Sequence, residues 1–113
     1  KNSNPWLYYY IYYIIFNMVY YNMKSYKLVG FRKSNRAGKK YDGIIENKTT
    51  KKKSYIPFGA LGYENYHDKT DLNLYPNLIH GDKKRRKSYK TRHVRHLKVN
   101  FFSPSYFSFY YLW

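Results

Sequence analysis

Half of the sixteen residues from 82 to 97 (DKKRRKSYKTRHVRHL) are basic: Lys83, Lys84, Arg85, Arg86, Lys87, Lys90, Arg92 and Arg95. Grouped on one element, such side chains neutralise phosphates and release condensed counterions, so binding becomes steeply salt-dependent. Arg adds paired hydrogen bonds to a phosphate or a guanine edge. Tyr75, Tyr89 and Tyr106 lie close to basic residues in sequence and could stack on bases wherever they are exposed. A second cluster, Lys51, Lys52 and Lys53 with Lys48 nearby, either extends the same surface or guards an edge strand against aggregation. Arg32, Lys33, Arg36, Lys39 and Lys40 carry the same ambiguity. Short Lys/Arg blocks also occur as solvated helix faces or nuclear-targeting runs.

Other chemistries find little support. His93 and His96 fall on one side of a helical pattern, but no Cys or paired acid completes a set of metal ligands. The surrounding cations disfavour an imidazolium and would repel a metal ion. The acids Asp42, Glu46, Glu64, Asp68, Asp71 and Asp82 are scattered. Glu64, His67 and Asp68 in YENYHD lack the second carboxylate pair that a nuclease-like centre requires, and local hydrogen bonding in a packed loop is the simpler use for them. There is no Gly-rich phosphate loop or nucleophile motif. The expectation is therefore a non-enzymatic protein with no catalytic residues, metal or cofactor.

Bulk composition agrees with a polyanion partner. The 113 residues carry 22 Lys plus Arg against 6 Asp plus Glu, a net charge of +16. Charge of that size strains a compact fold by self-repulsion, and nucleic acid or an anionic membrane would relieve it. Cys is absent, which excludes disulfides and thiolate metal sites and suits a reducing compartment. Seventeen Tyr among 23% aromatic residues can supply both a small core and stacking surfaces.

These groups need positioning by an α+β fold of one small domain. Residues 24–33, 40–46 and 52–58 are rich in β-formers and separated by the turn sequences SNRAGK and NKTT. They predict a three-stranded antiparallel meander. In the third strand Ser54, Ile56 and Phe58 share one face, and Pro57 marks an edge or an end. Residues 59–81 have no clean period and predict a long packed loop with a short helix within it. The basic helix follows, N-capped by Asp82, with Tyr89, His93 and Leu97 on a packing stripe, His96 beside it and cations in every other direction. Ser103 and Pro104 start a short aromatic C-terminal helix. Its rings either complete the core, the preferred reading because a small domain needs them, or enter a partner through Tyr110, Tyr111, Leu112 and Trp113.

Residues 6–21 (WLYYYIYYIIFNMVYY) are uncharged but too short and too rich in Tyr and Asn for a good membrane span. They also lack the basic region and small-residue cleavage site of a secretory signal. The residues of this stretch have A/T-rich codons, and Met18 and Met23 could serve as starts. The expectation is that residues 1–22 are a non-native or a disordered, hydrophobic extension, with a membrane anchor as the competing reading, and that residues 23–113 form the domain.

Three stretches carry a resemblance: IPFGALGYENYHDKT at 56–70, GDKKRRKSYKTRH at 81–93 and SPSYFSFYYLW at 103–113. Together they resemble a family of short uncharacterised basic proteins of large nucleocytoplasmic DNA viruses, in which an F-G-x-x-G-Y segment precedes a Lys/Arg stretch ending in Arg-His and an aromatic Leu-Trp end. The matching positions here are Phe58, Gly59, Gly62 and Tyr63, then Arg92 and His93, then Leu112 and Trp113. The stretch between His93 and Ser103 is short for the pattern and lacks a Lys/Gly-rich linker. The resemblance implies a viral protein, in the virion or in the host cytoplasm or nucleus and not secreted, with other virion proteins as further partners. It carries over no catalytic residue. The expected function is nucleic-acid binding or packaging; the alternative is a minor structural virion component that makes contact through the aromatic end.

Overall fold

The computed structural model describes residues 4–97 and 101–113, without the side chains of residues 19, 21–23 and 95–97. Three antiparallel strands, β1 (Tyr26–Lys33), β2 (Lys39–Asn47) and β3 (Lys53–Ala60), form a sheet in the order β1-β2-β3. This is the predicted meander within an α+β fold, with β3 at an edge. Tyr41, Gly43 and Ile45 of β2 stand opposite Phe58, Ile56 and Ser54 of β3, so one sheet face is apolar by strict alternation. Strand β1 reaches the same face by an irregularity between Leu28 and Gly30. The extra residue, Val29, lets Leu28 oppose Ile45 while Phe31 opposes Gly43, so two residues three apart both point inward.

The aromatic end of the chain covers that face. Ser103 caps a short helix, and its hydroxyl oxygen accepts from Tyr106 N. The helix, Pro104–Phe107, continues as a π-helical turn, Ser108–Leu112. Phe107 is fully buried, with Phe58 stacked at 5.3 Å and Phe31 edge-on at 6.0 Å. It lies over Gly43, where an added Cβ would come within 2.7 Å of the Phe107 ring. Tyr41, Ile45, Phe58, Phe107 and Leu112 form the core. Burying a ring the size of Phe107 stabilises by about 1.5–3 kcal/mol, so the terminal segment supplies much of what so small a sheet lacks.

Residues 61–81 form the packed loop, with a single 3-10 turn at Pro76–Leu78. Its hydrogen bonds explain its order. The Tyr41 hydroxyl donates to Asp68 and accepts from Leu74 N, while Asp68 also accepts from the Thr70 amide and hydroxyl. Burial and the Asp68 hydrogen bond push the Tyr41 phenol up to about 12. Tyr66 N and His67 N donate to Leu112 O, and Lys69 N to Tyr111 O, lashing the loop to the aromatic end.

The basic helix α2 runs from Lys83 to Leu97. Asp82 caps it as predicted, its Oδ1 accepting from Lys84 N at 2.9 Å and Arg85 N at 3.3 Å. The N-terminal residues add a helix, α1 (Pro5–Ser25), that passes directly into β1. Its start is an Asn-Pro signature: Asn4 Oδ1 accepts from Trp6 N, and Pro5 takes the first helical position. Among the described residues no helix is long and apolar enough to cross a membrane.

Candidate nucleic-acid interface

Helix α2 does not present cations in every direction but the predicted stripe. Tyr89 sits between two rings, His93 at 4.0 Å and Trp113 at 4.3 Å, the latter only 6° from parallel. Burial raises its phenol above the ordinary value. Two predicted binding residues are taken up by the same packed side. Arg86 donates from Nε to the main-chain oxygen of Trp113 and lays its guanidinium over Tyr66 at 4.8 Å. Lys90 lies over Phe109 at 5.0 Å, and burial, together with Arg86 and Lys69, holds its ammonium below the usual range. Their alkyl stems, and the planar guanidinium of Arg86, pack against neighbouring rings, which the charge pattern alone conceals.

The remaining cations of α2 stay outside. Lys83, Lys84, Lys87 and Arg92 are exposed. Arg85 is exposed and paired with Glu64 at 3.0 Å, a contact that water screens. The Arg95 side chain, like those of Leu97 on the predicted stripe and His96 beside it, lies outside the described residues. Lys51, Lys52 and Lys53 are exposed but sit at the start of β3, roughly 23 Å along the strand from its Ala60 end, where α2 and the loop meet.

A groove runs beside α2. Its cavity, about 410 Å³, is lined by Tyr63 and Glu64 from the loop, Lys84, Arg85, Ser88, Tyr89 and Arg92 from α2, and Trp113. A neighbouring cavity of about 280 Å³ shares Tyr63, Glu64, Tyr89 and Trp113 and ends on Lys40. Lys40 is buried, donating to Tyr63 O and Asn65 Oδ1, and burial lowers its ammonium despite the nearby Asp68. Its role is to fix the loop that carries Tyr63. Tyr63 and Trp113 escaped selection as stacking residues because they come from segments distant in sequence; the exposed Tyr in a Gly-flanked turn was the available signal.

The other predicted contacts are redistributed. Tyr75 packs on Tyr41 at 5.6 Å and Tyr106 on Phe107, so neither is an open platform. Of the four residues assigned to a partner contact, Leu112 is 2% exposed and belongs to the core, and Tyr111 and Trp113 are half-buried against it. Tyr110 alone is exposed. This is the core reading preferred from the sequence, and its cause is simple: the π-helical turn brings Phe109 and Leu112 inward together, using the run to close the sheet.

Asp68 is committed to Tyr41 and Thr70, and Glu64 to Arg85. Among the described residues no group of three His, Cys, Asp or Glu side chains could hold a metal ion. No family model, curated protein or solved structure matches the chain.

Proposed function

We propose that this chain is a non-enzymatic nucleic-acid-binding protein that engages the phosphate backbone largely without regard to sequence. The supporting observation is the exposed cationic side of α2, with Lys83, Lys84, Lys87 and Arg92 free of the core on a chain of net charge +16. A rigid capped helix holds these charges at fixed spacing, so each phosphate contact releases counterions without first ordering the protein. The resemblance to basic viral proteins suits a packaging role for such binding.

The test is a salt series of binding to a nucleic acid of fixed length. Affinity falls steeply with salt, with a slope of roughly 0.9 per neutralised phosphate on a duplex. Reversing charge at Lys83, Lys87 and Arg92 flattens that slope. Affinity indifferent to salt overturns the proposal. Arg86 and Lys90 are unsuitable for this test because their removal disturbs packing as well as charge.

A further inference from the structure

Resting on the nucleic-acid reading above, we infer that the groove beside α2 seats one unpaired nucleobase against Trp113, so that the protein takes single strands in preference to duplex. The observations are geometric. His93, Tyr89 and Trp113 form a continuous ring stack at 4.0 and 4.3 Å. Both faces of Tyr89 are thereby occupied; Trp113, next in the stack, also meets the tilted His80 ring at 5.1 Å and lines both adjoining cavities. Tyr63, 73% exposed, lines the same space from the opposing loop. A planar heterocycle is the chemistry that packs between the Trp113 and Tyr63 rings lining a cavity of this size.

The walls suit a nucleotide more than a free aromatic ligand. Lys84 and Arg92, eight residues apart, bracket the groove over about 12 Å of helix, positions from which they can hold the phosphates on either side of the seated base. Glu64 stands among them, paired with Arg85. Its carboxylate repels phosphate and accepts from an exocyclic amino group, so the backbone is directed to the helix side and the base to the loop side. A paired base cannot enter without leaving its duplex, which costs a few kcal/mol.

The experiment uses the full chain with Trp6→Phe, so that Trp113 is the sole tryptophan emitter. A twelve-nucleotide oligodeoxycytidylate and a duplex of equal length are titrated at the same salt. The single strand quenches Trp113 emission and binds about tenfold tighter, in line with the worth of one base stack. Tyr63→Ala lowers single-strand affinity severalfold and leaves duplex affinity unchanged, and Tyr63→Phe retains the original affinity. Equal affinity for the two forms, unquenched Trp113 emission, or indifference to Tyr63→Ala overturns the groove as a base seat while salt-dependent binding stands. Absence of binding to either nucleic acid overturns the underlying reading too.

Discussion

The two ends of this chain are both rich in aromatic residues and meet opposite fates. In α1, Trp6, Tyr8, Tyr9, Tyr10, Tyr12, Tyr13 and Phe16 are all exposed. At the other end Phe107, Phe109 and Leu112 are buried and organise the core. Composition does not separate the two segments; long-range hydrogen bonding and shape do. The terminal segment offers Leu112 O and Tyr111 O to the loop amides, and Phe107 fits over the one position of β2 that has no side chain. Helix α1 has a good cap and i, i+4 ring contacts such as Tyr8–Tyr12 at 5.0 Å, but these are local and leave its outer rings in water.

The sharpest way to break the comparison is Phe107→Ala. It removes a fully buried ring, with an expected loss of about 3–5 kcal/mol, a large share of the stability of a small domain. Chemical denaturation reads it as a collapse of the unfolding midpoint; a shift under 1 kcal/mol, the size of a surface effect, would mean the segment is not core. Gly43→Ala comes next. The new Cβ meets a buried ring at 2.7–2.9 Å, and overpacking of this kind costs about 1–3 kcal/mol, visible as a lower melting temperature.

A smaller effect comes from acid. Burial, then Lys69, Arg86 and Lys90, hold the His67 imidazole below its ordinary value, with Asp68 opposing. The unfolded chain therefore binds more protons than the folded one, and stability falls as pH drops below about 6.5. Because His67 N donates to Leu112 O, protection factors corrected for intrinsic exchange fall first in mild acid at the Tyr66, His67 and Lys69 amides, and His67→Gln weakens that pH dependence. Least of all is the effect of Tyr9→Ser or Tyr13→Ser in α1, each expected within about 0.5 kcal/mol of the parent. A larger loss in thermal melts would reveal a packing partner for that face.

The elements were largely legible from local signals. Strand positions follow from β-formers between turn residues, and the Asp82 and Ser103 caps announce two helix starts because a side-chain oxygen next to orphan amides acts within three residues. The Asn4–Pro5 cap of α1 carries the same signal but stands before a run whose Tyr content obscured it. The candidate site was legible only in half. Lys83, Lys84, Lys87 and Arg92 were identifiable as surface cations, whereas the engagement of Arg86 with Trp113 and of Lys90 with Phe109 joins residues about twenty positions apart or more.

By itself, then, the sequence determined the net charge, the meander, the capped basic helix and the supply of rings, all of which depend on residues near one another in the chain. Only the tertiary structure decided which rings became core, which cations were spent on packing and where the groove opened. Those outcomes turn on distant segments competing for the same apolar sheet face, and a helix with charge on nearly every side is oriented by whichever stems and rings its neighbours can cover.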